Sequence, residues 1–195
     1  MTQRGLAAYQ AAKAAGIGRL SGTVLEIGAG RGRNFAHLRP GVHWIGAEPD
    51  ASRRAELARA AREHGHGETP LDAPAESLPL AEDSVGGVLS TGVLCSVRDQ
   101  DCALAEIARV LRPGGRFVFA EHVAAPRGWK RTLQRMAAPF SRTLDRGCDP
   151  TRETDAAVRR SPLTVVRIDT FDVPALPGLT MPYIVGEAVF DCASR

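Results

Sequence analysis

The sequence of 195 residues is poor in aromatic side chains and contains no long apolar run. Aromatic residues make up 5% of the chain and the arginines are scattered, so it lacks the basic stripe with stacking aromatics that favours nucleic-acid binding. No apolar stretch reaches the length of a membrane span, and residues 1–20 lack the apolar core of a secretory signal. We therefore predict a soluble, cytoplasmic protein without a nucleic-acid partner.

Closely spaced cysteines are also missing. None of the four forms a C-x-x-C pair, and all lie far apart in the sequence: Cys95, Cys102, Cys148 and Cys192. Zinc binding and a disulfide framework are both poorly supported by this spacing, and we predict no metal site. The net charge of +3 makes the chain only mildly basic.

Strand-like runs alternate with helical patterns along the chain, which predicts an α/β protein with a mostly parallel sheet and helices on both faces. The length favours a single domain, residues 1–195, with a substantial core. Residues 1–20 are rich in alanine and predict one helix. Prolines and glycines divide residues 124–163 into short helices and turns, a helical insertion at the substrate side. The last strands are predicted at Thr164–Asp172 and Tyr183–Phe190, with a proline-rich loop between them at the substrate rim.

The most informative segment is residues 24–35, VLEIGAGRGRNF. An apolar run that ends in an acid leads into three alternating glycines, the order expected for a buried strand, a tight loop and a helix start. Glycine is needed there because side chains would keep the backbone away from a ligand. The dinucleotide fingerprint G-x-G-x-x-G would place its third glycine where Arg33 stands, which disfavours an NAD-linked dehydrogenase.

The spacing G-x-G-x-G, with Glu26 two residues before the first glycine, resembles motif I of class I methyltransferases, which bind S-adenosylmethionine (SAM). A second short strand, His43–Glu48, ends in another acid. In a nucleotide-binding βαβ unit, an acid at this point, about 20 residues beyond the glycines, binds the ribose hydroxyls. We predict this role for Glu48.

Two later segments resemble further motifs of the same family. Residues 73–90 look like the adenine-side loop followed by the fourth strand, and residues 106–123 look like a helix that ends in R-P-G-G and feeds the fifth strand. Pro113 and Gly114 should stop that helix, and Phe117–Ala120 resumes apolar strand character. The resemblance implies a Rossmann-like class I methyltransferase fold with a seven-stranded sheet.

Four less generic segments narrow the resemblance: residues 90–97 (STGVLCSV), 112–129, 145–154 and 182–189. Together they resemble the alkyl thiol S-methyltransferases, a family of animal microsomal enzymes and bacterial relatives. The resemblance implies S-methylation of a small, apolar thiol with S-adenosylhomocysteine as the second product. The animal enzymes carry an N-terminal membrane anchor that this sequence does not show, so we predict none. The sequence leaves the oligomeric state open.

The family motifs also imply where the cofactor binds. Pro74 stands where the adenine loop often begins with an acid or a serine, so the adenine contact falls to the Ala75 amide, with Glu76 alongside and Asp72 as a further candidate. The full set of predicted cofactor residues is Glu26, Gly28, Ala29, Gly30, Glu48, Pro49, Ala75, Glu76, Thr91 and Gly92.

The candidates for acceptor chemistry follow the fourth and fifth strands, at the carboxyl-end rim where open α/β sheets bind ligands. His122 is predicted to be a base or a partner that stabilises the thiolate; alternatively, it only bonds backbone at the strand end. Cys95 is predicted to line the pocket rather than to act as a nucleophile, since methyl transfer needs no catalytic cysteine. Trp129 and Tyr183 are candidates for apolar walls or for core packing.

Three alternatives stay open. The same scaffold can methylate a hydroxyl, an amine or a carbon, because the fold does not fix the acceptor. Arsenite methylation would require three converging thiols, such as Cys95, Cys102 and Cys148. Finally, an intact cofactor site is equally compatible with a SAM-binding protein that has no catalytic activity.

Overall fold

The computed structural model describes residues 3–144 and 147–191, so Cys192 lies outside the described residues. The strands are β1 Gln3–Arg4, β2 Thr23–Ile27, β3 His43–Ala47, β4 Val85–Thr91, β5 Leu111–His122, β6 Thr164–Leu176 and β7 Leu179–Val189. The helices are α1 Leu6–Ile17, α2 Ala51–Glu63, α3 Gln100–Val110, α4 Trp129–Leu144 and α5 Thr154–Arg160.

One sheet holds all of these strands in the order β1-β6-β7-β5-β4-β2-β3. Only β7 runs against its neighbours, β5 and β6, and every other pair is parallel. The carboxyl ends of β2, β3, β4 and β5 therefore meet at one edge, where ligands bind in open α/β sheets. The predicted fold class, a mostly parallel Rossmann-like sheet with helices, is confirmed.

The prediction of seven full strands was slightly wrong. The described residues contain six longer strands and the two-residue β1. Between α2 and β4, where a further parallel strand was implied, only a single bridge joins Ala47 to Leu71. Proline has no backbone N–H, and Pro70 and Pro74 lie on either side of this bridge, so the pairing cannot extend.

The strands of the central sheet are buried on both faces. In β2, four of the five residues are buried, which explains the continuous apolar run in the sequence. The helices that follow begin at acidic caps: Asp50 accepts hydrogen bonds from the backbone N–H groups of Ser52 and Arg53, and Asp99 caps α3 in the same way. These caps fix where the chain leaves the rim of the sheet.

Two predicted strand boundaries were wrong. Strand β5 begins at Leu111 rather than Phe117, because residues 112–115 bulge out between the pairs Val85–Leu111 and Gly87–Arg116. Residues 173–182 are mostly paired strand rather than a rim loop, and Pro174 lies beside a register shift that tolerates its missing N–H.

Helix α4 runs through Pro139 instead of stopping there. The buried residues Gln134 and Ala138 hold its inner face against the domain on the N-terminal side of the proline. Trp129, at the start of α4, is 64% exposed and is therefore not a core residue; its role as an apolar wall stays a prediction.

Helix α1 lies within residues 1–20, and α4 and α5 lie within residues 124–163. Their assignment to one domain with a substrate-side insertion stays a prediction. Within the described ranges, no helix is long and apolar enough to cross a membrane. The cytoplasmic location and the lack of a nucleic-acid partner also stay predictions.

Candidate functional site

The glycine loop after β2 is a tight turn, as the sequence predicts, but the predicted helix start was wrong: only a short 3₁₀ helix, Phe35–His37, lies between this loop and β3. Gly28, Gly30 and Gly32 all have positive φ, at 52°, 59° and 76°. A Cβ on Gly28 would lie 2.6 Å from Val93 Cγ2, and one on Gly32 would lie 2.3 Å from Phe35 Cε2, so packing excludes a side chain at both. A Cβ on Gly30 would meet only the Gly28 carbonyl oxygen, at 3.9 Å. Gly30 therefore presents bare backbone to open space.

The Glu48 carboxylate stands directly against this loop. It follows β3, is only 3% exposed, and accepts hydrogen bonds from the backbone N–H groups of Gly30 at 2.9 Å and Asp50 at 3.0 Å. Arg53 lies 3.9 Å from the same carboxylate. Each carboxylate oxygen can accept a second hydrogen bond. Glu48 is thus a fixed anion with spare acceptor capacity beside an open backbone.

Glu26 lies beneath the loop rather than at its surface. Its carboxylate, 1% exposed, accepts from Asn34 Nδ2 at 2.8 Å and Trp44 Nε1 at 2.9 Å. Burial raises the pKa of Glu26, while these two donors and the nearby charge of Lys13 act in the opposite direction. The role of Trp44 and Asn34 as donors to Glu26 was not predicted from the sequence, although both residues lie within or beside the predicted motifs.

Asn34 connects the glycine loop to the end of β4. Its amide also donates to Thr91 Oγ1 at 2.9 Å. Gly92, the next residue, has φ of 67°, and a Cβ placed on it would meet no atom within 4 Å, so its backbone is open like that of Gly30. The predicted residues Thr91 and Gly92 therefore adjoin the glycine loop.

Glu121, at the end of β5, is the main residue that the sequence reasoning missed. It is fully buried and accepts from Ser90 Oγ at 2.6 Å and from the backbone N–H groups of Val93 at 3.0 Å and Leu94 at 3.1 Å. Burial raises its pKa to about 7 despite these donors. Glu121 thereby holds the loop after β4 in place. The sequence did carry one sign of this role, because Glu121 is an acid within an otherwise apolar strand, directly before His122.

The residues predicted for the adenine side differ in their surroundings. Ala75 is buried at the foot of its loop. Glu76 turns away, since Oε1 accepts from the backbone N–H of Arg98 at 2.7 Å. Asp72 is held by Arg54, which donates to both of its oxygens at 3.0 and 2.8 Å. Glu76 and Asp72 therefore already have protein partners, whereas the structure, over its described residues, shows no such partner role for Ala75.

Two more predicted cofactor residues lie beside the glycine loop and Glu48. Ala29 is buried and its N–H donates to the Ala47 carbonyl at 3.1 Å, while Pro49 is exposed beside Glu48.

His122 lies at the rim beyond β5. The buried Gln134 amide, which donates to the Val123 carbonyl at 3.0 Å, has its nitrogen 3.4 Å from His122 Nε2. Because an amide nitrogen can only donate, we assign to His122 the tautomer in which Nε2 accepts and Nδ1 carries the proton. The ring packs against Tyr183, with centroids 5.1 Å apart.

Helix α1 contributes Tyr9 to the same end of the sheet. Its ring contacts Tyr183, with centroids 5.1 Å apart, and Phe171, at 5.9 Å. Burial, followed by the charge of Glu121, raises the pKa of Tyr9 above its ordinary range. The tyrosine hydroxyl is therefore a neutral group near the rim.

Two of the cysteines lie close together at this rim. Cys95 is 3% exposed, Cys148 is the largest influence that raises the pKa of its thiol, and Asp149, next to Cys148, donates its N–H to the Cys95 carbonyl at 2.9 Å. Cys102 is exposed at the start of α3, beside Asp99. In the described part of the chain, no group of three or more His, Cys, Asp or Glu side chains is placed to hold a metal ion. The three-thiol arrangement required for arsenite methylation is thus not formed by these three cysteines.

Comparison with known proteins agrees with this geometry. Residues 25–119 match the family model described as a methyltransferase domain. The chain is 36% identical over 176 residues to thiol S-methyltransferase TMT1A of Homo sapiens, spanning 88% of this chain and 71% of that protein. It is 34% identical over 172 residues to thiol S-methyltransferase TMT1B of Rattus norvegicus, spanning 86% and 70%.

A solved structure shares the fold. Geranyl diphosphate C-methyltransferase from Streptomyces coelicolor A3(2), in a complex that includes S-adenosyl-L-homocysteine, superposes with a TM-score of 0.72. The alignment covers 94% of this chain and 76% of that chain at 18% identity. At this identity the likeness shows the fold alone.

Proposed function

Because the chain belongs to the thiol S-methyltransferase family of SAM-dependent methyltransferases, we propose that it transfers the methyl group of SAM to the sulfur of small, apolar thiols. The observation that carries this proposal is the likeness to two thiol S-methyltransferases over more than four fifths of the chain. The geometry of the rim supports both the donor and the acceptor.

The residues around the glycine loop fit SAM. Gly30 and Gly92 offer open backbone where side chains would intrude. Glu48 offers two carboxylate oxygens for the ribose hydroxyls, already oriented by the N–H groups of Gly30 and Asp50. Of the predicted set, the further cofactor contacts that we propose are Gly28, Ala29, Pro49, Ala75, Thr91 and Gly92, while Glu26 and Glu76 stand behind them. When bound, SAM supplies a methyl group on a positively charged sulfur.

Two of these residues support the site indirectly. Glu26 is buried and bonded to Asn34 and Trp44, so it fixes the loop from below. Glu76 bonds the backbone N–H of Arg98 and sets the loop that precedes α3. We propose positioning roles for both.

The groups at the rim favour an acceptor that can lose its proton without a general base. His122 Nε2 is already occupied by the Gln134 amide, and Glu121 is fully buried with its oxygens bonded to Ser90 and the loop after β4. Neither group is placed to take a proton from an acceptor. A thiol has a reference pKa of about 8.5, so a small fraction is already thiolate at neutral pH, whereas an alcohol needs a base.

His122 then acts as a donor. With its proton on Nδ1, the ring can give one hydrogen bond to a thiolate at the rim, which favours the charged form. Tyr183 packs on the ring and fixes its plane. Cys95 is buried beside the rim and lines the pocket. Holding the thiolate in line with the methyl group is the main catalytic task, since positioning alone can lower a barrier by about 7 kcal/mol or more.

The test is the formation of S-adenosylhomocysteine with a panel that pairs small apolar thiols with the corresponding alcohols, phenols and amines. We expect turnover with the thiols, weakened in His122→Ala and abolished in Glu48→Ala. His43→Ala, a histidine that pairs with Glu68 at the surface, is the matched control and should leave turnover unchanged. Tight SAM binding without thiol turnover would contradict the proposal and leave another acceptor or a non-catalytic binder.

A further inference from the structure

Two loops that are far apart in the sequence are tied together at the acceptor end of the sheet. The backbone N–H of Asp149 donates to the Cys95 carbonyl at 2.9 Å. Arg152 donates to the Val97 carbonyl at 2.8 Å, and a Cβ on Gly147 would lie only 3.3 Å from the Ser96 carbonyl oxygen. These contacts place residues 147–152 directly on the loop that follows β4.

This arrangement brings two cysteines close together. Cys148 is the neighbour that raises the pKa of the Cys95 thiol most, and neither cysteine is part of a disulfide. Cys95 is 3% exposed, whereas Cys148 is half-buried. A disulfide requires that the two backbones approach each other closely, and the hydrogen bond from the Asp149 N–H to the Cys95 carbonyl brings them together. The pair therefore has an outer, accessible sulfur and an inner one.

The inner sulfur is held as a thiol. The hydrogen bond with Cys148, burial and the charge of Glu121 all raise the pKa of Cys95 above its ordinary value. Cys148 is the more accessible sulfur of the two and therefore meets a small disulfide first, where its thiolate is the nucleophile.

We propose that Cys95 and Cys148 form a reactive dithiol that reduces small apolar disulfides, the oxidised form of the acceptors of this site. The choice of ligand rests on the proposed function, because a site that takes apolar thiols also fits the disulfides made from them. The close approach of the loops that carry Cys95 and Cys148, and the greater accessibility of Cys148, carry the proposal.

The reaction takes place in two exchanges. The Cys148 thiolate attacks one sulfur of a disulfide RSSR, forming a Cys148–S–S–R bond and releasing RS⁻, which takes up a proton to give RSH. The Cys95 thiol loses its proton and attacks the Cys148 sulfur, which breaks the mixed disulfide and releases the second RS⁻. Two protein thiols and one disulfide thus become one Cys95–Cys148 disulfide and two RSH molecules, each a candidate acceptor for methylation.

The experiment treats the reduced full chain with dipropyl disulfide, removes the reagent, and measures the intact mass and the peptide map without reducing agent. We expect the protein to lose two hydrogen atoms and the map to show one cross-link between the peptides of Cys95 and Cys148. Cys95→Ser should stop at the mixed disulfide, with one propylthio group retained on Cys148. Cys102→Ser, which removes an exposed cysteine outside the pair, should cross-link like the parent chain.

Several results would overturn the proposal. They are an unchanged mass, a propylthio group confined to Cys102 or Cys192, and a cross-link that involves either of those residues. The mass readout does not depend on methyl transfer. Cross-linking in a protein that methylates no thiol would support the dithiol and contradict the proposed function, whereas thiol methylation with an unchanged mass would do the reverse.

Discussion

Replacing Glu121 with glutamine should reduce the pH dependence of stability near neutrality. The carboxyl group is fully buried, and burial raises its pKa from the ordinary 4.5 to about 7. Because the folded state binds this proton more tightly than the unfolded state, the stabilisation is complete below about pH 4.5 and is lost as the pH rises through about 7. At about 1.4 kcal/mol per pH unit, the loss between about pH 5 and pH 8 is about 2.5 kcal/mol.

Glutamine resembles the protonated form of Glu121. Its amide oxygen can accept from the N–H groups of Val93 and Leu94, and its NH₂ group can donate to Ser90 Oγ, so the loop after β4 should keep its position. We therefore expect the variant to match the parent chain at about pH 5 and to be more stable by about 2 kcal/mol at about pH 8.

Urea unfolding at a series of pH values, followed by fluorescence, measures this difference. Glu26 has a raised pKa of the same sign, but it is present in both proteins, so comparing them isolates Glu121. Glu63→Gln, at an exposed carboxylate that ends α2, is the control and should keep the pH dependence of the parent. Parallel stability curves for Glu121→Gln and the parent chain would refute the argument.

Three further predictions concern the cofactor site. Glu48→Gln should weaken SAM binding, measured by calorimetry, by about 10-fold, since hydrogen bonds to a charged group contribute about 1.5–3 kcal/mol; unchanged affinity would remove Glu48 from the site. Gly30→Ala and Gly41→Ala both place a Cβ at positive φ in open space and should cost a similar free energy of unfolding, about 1 kcal/mol, but only Gly30→Ala should weaken SAM binding. Trp44→Phe leaves a buried oxygen of Glu26 without its donor and should lower the free energy of unfolding by about 1–3 kcal/mol in chemical denaturation; a neutral effect would contradict the buried network.

The order of elements could be predicted from the sequence because local patterns determine it. The glycine loop needs positive φ at three alternate positions, and that requirement is visible as G-x-G-x-G. Glu48 follows from its place at the end of β3. The errors arose where pairing depends on distant strands: β6 and β7 continue through Pro174, which no local pattern indicates.

The supporting residues of the site were harder to predict, since their roles depend on contacts across the fold. Glu121 bonds the loop after β4, some 28 residues earlier in the chain. Gln134 reaches back from α4 to His122, and of the two predicted roles of that histidine this contact favours the partner that stabilises a thiolate over the base. The meeting of Cys95 with Cys148 likewise results from the packing of two loops and leaves no mark in the sequence spacing.

The most direct test of thiol methylation gives the protein one acceptor that carries both a thiol and a hydroxyl group, such as a short mercaptoalcohol. With SAM labelled with ¹³C in its methyl group, the carbon chemical shift of the product shows whether the methyl group is on sulfur or on oxygen. We predict a methyl thioether with a free hydroxyl group. A methyl ether with a free thiol would contradict thiol methylation as the function of this chain.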